Sequence, residues 1–259
     1  MTAEAEPFDR QARRRARDRA ARRFDAHSFL KDALAADIAD RLGELGANAG
    51  RVLDLGAHDG RLSRLLAADV VAADAGFGFA RAASGIMCDE DRLPFAADSF
   101  DAVVSAGSLN GVNDLPGALI QVRRILKPGG VFVANFVGGA SLAALRMRLI
   151  AAEDAATGGI APRLHPMIDP AEAPGLLQRA GFSDPVVDVA GRVVRYPDAR
   201  GMVGDLRGMG EGNVLAARQR RPLARYVAAR LVAAAEAAPD ADGRHAVHLE
   251  VVTMTGRVR

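Results

Sequence analysis

Between Arg51 and Phe136, five short apolar runs alternate with stretches of helical spacing, a rhythm that few folds accommodate. The runs are Arg51–Leu55, Val70–Ala73, Ile86–Cys88, Ala102–Ser105 and Val131–Phe136. The segments at residues 61–68, 77–83 and 114–126 are expected to be helices, the last stopped by Lys127-Pro128-Gly129-Gly130. Short buried strands joined by helices are the mark of βα units on a parallel sheet covered on both faces. After Phe136 the regularity loosens. Residues 141–154 and 170–180 read as helices, 157–170 is punctuated by Gly and Pro, Val186–Val194 reads as a strand, and residues 214–237 read as a long Ala-rich helix. His245–Thr255 alternates like an antiparallel strand at or near one edge of the sheet. The expectation is an α/β fold, a doubly wound, seven-stranded, mostly parallel sheet.

Ahead of the sheet, residues 8–24 contain no Gly or Pro and predict a basic helix anchored by Phe8 and Phe24. A solvated helix docked on the domain, a phosphate-contacting arm and an anionic-membrane contact are the competing readings. Ser28 is placed to cap a second helix, along which Phe29, Leu34, Ile38 and Leu42 recur with helical spacing until Gly43 and Gly46. This divides the chain into N-terminal helices at 1–48 and a main domain at 49–259. Insertions at 141–169 and 198–240 leave the sheet edge where a ligand would bind.

With 259 residues, 49% of them hydrophobic, the chain can bury roughly three quarters of its unfolded surface. No apolar run approaches the roughly 18 to 20 residues of a membrane-spanning helix. The single cysteine, Cys88, cannot form an internal disulfide or a cysteine-based zinc site, and a reducing cytoplasm is the simplest compartment. Residues 1–23 carry eight arginines against four acids, so the basic character belongs to one segment.

The strongest local signal is Val52-Leu53-Asp54-Leu55-Gly56-Ala57-His58-Asp59-Gly60, a strand running into a Gly-containing turn. Such a turn lets backbone approach a ligand closely, although a plain strand-to-helix turn has the same look. It lacks the glycines of a dinucleotide fingerprint and the Gly-Lys pair of a P-loop. Asp74 closes the second run, where an acid can accept both hydroxyls of a ribose or, alternatively, cap the helix at Phe77. Asp89 follows the third run within Cys88-Asp89-Glu90-Asp91, placed to accept from an exocyclic amine such as that of adenine; an acidic triplet is otherwise a solvated loop. Three acids at three successive strand ends around one Gly turn outline a site for an adenosine-containing ligand.

Asp54-Leu-Gly56, Asp74, Asp89–Phe95, Asp98-Ser-Phe100-Asp101 and Leu126-Lys-Pro-Gly-Gly130 together resemble, in order, the motifs of class I S-adenosylmethionine-dependent methyltransferases. The resemblance implies a Rossmann-like fold, S-adenosyl-L-methionine as cofactor, and cofactor contacts at Asp54, Gly56, Ala57, His58, Gly60, Asp74, Asp89, Glu90 and Ser105. Val112-Asn113-Asp114-Leu115-Pro116, Leu142–Leu149 and Asp205–Asn213 are similar to a narrower group. That group holds a methyltransferase-like assembly factor of respiratory complex I associated with arginine hydroxylation, with the malonyl-carrier-protein methyltransferases of biotin synthesis close by. Phe8-Asp9-Arg10 also fits the group and favours the docked-helix reading. The sequence departs from the pattern at His58, where the family turn usually has glycine, and at Asn110-Gly111, where the group usually has His-Trp. A side chain at position 58 either faces solvent, the expected outcome, or narrows the pocket.

Methyl transfer from a sulfonium requires alignment more than acid–base machinery, so no catalytic residue is obligatory. No Gly-x-Ser-x-Gly elbow, His-Glu-x-x-His helix or facial-triad spacing is present, and His245 and His248, three apart on a strand, face opposite ways. Substrate selection should fall to the two insertions, with Arg146, Arg207, Met209 and Asn213 as candidates; the arginines could neutralise an acidic group or be ordinary surface residues. No Trp and two Tyr argue against a stacking platform for nucleic acid. Two functions follow. One is a methyltransferase acting on an unidentified small-molecule or protein acceptor. The other is a methyltransferase-like assembly or interaction factor for a respiratory-complex subunit, with weakened or absent methyl transfer.

Overall fold

The computed structural model describes residues 6–47 and 50–259; the expected boundary between residues 48 and 49 lies outside the described residues. One sheet holds seven strands: β1 (Arg51–Leu55), β2 (Asp69–Asp74), β3 (Ile86–Met87), β4 (Phe100–Ala106), β5 (Leu126–Gly138), β6 (Ser183–Tyr196) and β7 (His245–Arg257). Their order is β3-β2-β1-β4-β5-β7-β6. β1 to β5 pair in parallel, and β7 runs antiparallel between β5 and β6, one place in from the edge. The chain moves outward from β1 to β3, then returns to place β4 on the other side of β1. That reversal opens a crevice at the carboxyl ends of β1 and β4.

Alternation along the central strands explains why both faces are covered. Val52, Ala102, Val104 and Val133 point to one face and pack under Leu34, Ile38 and Leu42 of α2 (Phe29–Glu44). Leu53, Leu55, Val103 and Phe132 point to the other and meet α4 (Leu115–Ile125) and α6 (Ala173–Arg179). The remaining helices are α1 (Arg10–Ala21), α3 (Phe77–Ala82), α5 (Ala143–Thr157), α7 (Ala199–Gly208) and α8 (Arg225–Ala235). No helix among the described residues is long and apolar enough to cross a membrane.

Four expectations are corrected. Residues 61–68 form turns and a short 3-10 segment at Ser63–Leu65, because the Asp54 carboxylate accepts from the Ser63 N–H at 3.1 Å and β2 begins at Asp69. The helix expected over 214–237 is only α8. Val214 and Ala216 are held in backbone hydrogen bonds to Asp9 and Pro7, and Pro222 cannot continue a helix. α7 carries no helical signal in the sequence because three of its ten residues are glycine. Ser28 precedes α2, but its hydroxyl bonds Asp32 and the Asp25 carbonyl instead of capping, and Phe29 is exposed.

Candidate cofactor and substrate site

The Gly turn leaves β1 at the crevice. Gly56 takes φ +78°, and a Cβ there would lie 2.1 Å from Ser108 Oγ, so only glycine fits. The N–H groups of Gly56 and Ala57 both donate to the Ala73 carbonyl, at 2.8 and 3.0 Å, tying the turn to the end of β2. Asp54 is buried below it. One carboxylate oxygen accepts from Ser63; the other, Oδ1, has no partner among the described residues, and burial pushes the group up to about 7. Ser105, fully buried on β4, likewise has a hydroxyl with no partner among the described residues. Gly60, at φ +79°, closes the turn against Ala83.

His58 does not face solvent. It is 3% exposed, stacked on Phe24 at 5.2 Å with rings 7° from parallel and edge-on to Phe79. Burial, aided by the charge of Arg17, holds its imidazole well below the usual range, so the ring is neutral. Phe24 follows α1 and Phe79 lies on α3, so the residue that departs from the family turn knits the Gly turn to both helices.

The strand-end acids meet α1. Arg10, Arg13, Arg14 and Arg17 recur at three- and four-residue intervals and therefore share one helix face. Arg13 grips Glu90 through two hydrogen bonds, 2.6 and 2.7 Å. Arg14 reaches Asp89 at 2.6 Å, and Arg10 pairs bidentately with Asp91 at 2.6 and 2.7 Å. Burial alone would raise the Glu90 and Asp91 carboxyls, but the facing guanidinium groups hold both below the carboxylate range. Arg17 donates through Nε to Asp74 Oδ1 at 2.8 Å and through a second nitrogen to Oδ2. Asp74 also accepts the N–H of His58 at 2.9 Å and of Gly76 at 2.8 Å. A carboxylate offers about four lone-pair sites, so all of those on Asp74 are engaged. Asp74 does not cap α3, which begins after Gly76.

The residues fit the cofactor in kind: an acid with an unpartnered oxygen beneath a Gly turn, and carboxylates at the ends of β2 and β3. In this conformation, α1 supplies the hydrogen bonds that an adenosine would take. None of the arginines was singled out from the sequence; the signal was their spacing, matched to the acidic triplet.

Beside this edge lies a second feature, a cavity of about 510 Å³ bounded by α2, α5, α7, α8 and the ends of β4 to β7. Of the candidate substrate residues, Arg207, Met209 and Asn213 line it. Arg146 does not; its guanidinium donates to the His165 carbonyl at 2.7 Å. Met209 is also packed with Ala20, Phe24 and Phe79, and Asn213 bonds the Pro162 carbonyl at 2.8 Å. Much of Asp205–Asn213 is structural. Asp205 meets His27 Nδ1 at 2.7 Å, and a Cβ on Gly208 would lie 2.2 Å from that imidazole. Glu211 pairs at 2.7 Å with the buried Lys31, whose charge outweighs burial and holds Glu211 at about 2. Asn113 exchanges hydrogen bonds with the Phe8 backbone at 2.8 and 3.2 Å, fixing the approach to α1, and Asp114 caps α4.

Fold and crevice together define a class I methyltransferase. The family model described as Methyltransferase domain matches residues 53–134. Over 219 residues the chain is 35% identical to the zebrafish (Danio rerio) protein named arginine-hydroxylase NDUFAF5, mitochondrial, covering 80% of this chain and 68% of that one. The human counterpart is 37% identical over 219 residues, and the chain spans 64% of its length. The malonyl-[acyl-carrier protein] O-methyltransferase of Halorhodospira halophila is 31% identical over 265 residues, 96% of this chain and 88% of that one. A solved putative methyltransferase from Bacillus halodurans shares the fold at a TM-score of 0.60 and 15% identity, covering 85% of this chain and 97% of that one. The chain belongs to the S-adenosylmethionine-dependent methyltransferase family, whose methyl donor is S-adenosyl-L-methionine. Within it, the chain is similar both to the arginine-hydroxylase proteins and to the malonyl-carrier-protein methyltransferases.

Proposed function

We propose that the chain binds S-adenosyl-L-methionine at the ends of β1, β2 and β3 and transfers its methyl group to an acceptor seated in the adjoining cavity. When bound, the cofactor supplies a methyl group already activated on a sulfonium. The chain's part is then to bind and orient: Asp74 receives the ribose hydroxyls, Asp89 the adenine amine, and the Gly56–His58 turn the amino-acid portion. Arg17 must release Asp74 for this to occur. The observation carrying the reading is the convergence of Asp54, Asp74 and Asp89 on one sheet edge that Gly107 and Asn110 of the cavity wall also share. The acceptor is a small molecule or a protein group, and the setting proposed is a reducing cytoplasm, where a single buried thiol stays free.

The closure of the acids by α1 favours a second reading: an assembly or interaction factor, serving a respiratory-complex subunit as the resemblance implies, in which methyl transfer is weak or absent. Calorimetric titration with S-adenosylhomocysteine separates the two. Micromolar binding supports the enzyme. No binding by either the natural protein or Arg17→Met supports the factor.

A further inference from the structure

The cavity bounded by α5, α7 and α8 is too large to be a packing defect. Protein interiors rarely leave voids larger than a water molecule, whereas ligand sites occupy roughly 300 to 1,000 Å³. Its volume is about 510 Å³, and its walls are largely aliphatic, with Leu145, Leu149, Met202, Leu206, Leu231 and Val232 among them. An apolar chain would be driven there by removal of its CH₂ groups from water.

Arg207, Gly212 and Asn213 line this cavity and also a second cleft, of about 650 Å³, between α1 and residues 207–218. The two spaces therefore adjoin across these three residues. The cleft is lined by Arg15, Arg19, Arg23, Arg207 and Arg218 and, among the described residues, by no carboxylate. Arg15 and Arg19 are spaced four apart on α1, beside the face that grips the strand-end acids, and Arg23 lies just past the end of the helix. Among the described residues, only Arg218 of the five reaches an acid, Asp9, at 3.0 Å. Five guanidinium groups around one space create a field that draws an anion, and their planar forks suit a phosphate, whose double charge a carboxylate lacks.

We propose that cavity and cleft together form one binding site for a phosphate-headed amphiphile, its aliphatic chain in the cavity and its phosphate among Arg19, Arg207 and Arg218. Identifying that molecule as the methyl acceptor rests on the function proposed above; its binding does not.

The test is calorimetric titration of the full chain with octyl phosphate below its micelle concentration, with octan-1-ol and inorganic phosphate as half-ligands and S-adenosylhomocysteine in parallel. Octyl phosphate should bind at least tenfold more tightly than either half. Ala228→Phe, which fills the cavity from α8, should abolish that gain while leaving S-adenosylhomocysteine binding unchanged; Ala235→Phe serves if the first variant does not fold. Arg19→Glu with Arg207→Glu should bring octyl phosphate to the level of octanol. Equal octyl phosphate binding by natural protein and cavity-filled variants would overturn the proposal, as would no binding. So would sedimentation with phosphatidylglycerol vesicles that is undiminished by Ala228→Phe in a protein that ignores octyl phosphate, since that places the headgroup on an open surface. Failure of S-adenosylhomocysteine alone would count against the methyltransferase reading and leave the amphiphile site standing.

Discussion

Arg17 and Asp74 form a buried pair in which one guanidinium takes a hydrogen-bonding site on each carboxylate oxygen, while the backbone N–H groups of Gly76 and His58 take the other two. Two ribose hydroxyls need two acceptor sites, and only departure of Arg17 releases them. Arg17→Met should therefore strengthen S-adenosylhomocysteine binding at least tenfold by calorimetry on folded protein. It should also cost about 3 to 5 kcal/mol of stability, since it leaves a buried carboxylate without its counter-charge. Asp74→Ala should weaken binding at least tenfold, as loss of a charged acceptor removes about 1.5 to 3 kcal/mol.

Arg10, Arg13 and Arg14 hold neighbouring acids on the same helix face, so release of Arg17 disturbs the whole docking surface of α1. Saturating S-adenosylhomocysteine should lower hydrogen-exchange protection across Arg10–Ala21. The amides of β4, buried in the centre of the sheet, should exchange no faster.

His58 packs between two phenylalanines, so His58→Gly should destabilise the protein by about 2 to 4 kcal/mol in urea denaturation, through lost aromatic packing. The loss is partly offset because glycine accepts the φ of +51° at no steric cost. A solvent-facing turn residue would change stability by less than about 0.5 kcal/mol.

Asp54 is raised by burial from its ordinary 3.8 to about 7. A raised carboxyl binds its proton more tightly folded than unfolded, so the stability associated with that proton is present below the unfolded value and is lost as pH rises through the folded one. Asp54→Asn keeps an oxygen for Ser63 and never ionises. Its stability relative to the natural protein should improve by about 1.4 kcal/mol for each pH unit between roughly 4 and 7, then level off. Denaturation of both proteins at pH 4, 5.5, 7 and 8 checks the slope.

The sequence by itself determined the sheet and the acids around its crevice. The short, near-continuous apolar runs of β1, β4 and β5, the Gly turn and the Lys-Pro-Gly-Gly stop are local signals, and local sterics and hydrophobicity dictate what they become. Asp54, Asp74 and Asp89 were identifiable because a strand end fixes which edge of the sheet a residue occupies. Tertiary structure decided what those acids touch. Arg17 and Asp74 are 57 residues apart, so no spacing rule could join them, although the arginine stripe of α1 was visible as a helical repeat. His58 turned inward because Phe24 and Phe79 offered an aromatic slot, which depends on how α1 and α3 dock rather than on the turn. The long helix expected over 214–237 was shortened for the same reason: Val214 and Ala216 found hydrogen-bond partners more than 200 residues away, at Asp9 and Pro7, that their own neighbourhood could not reveal.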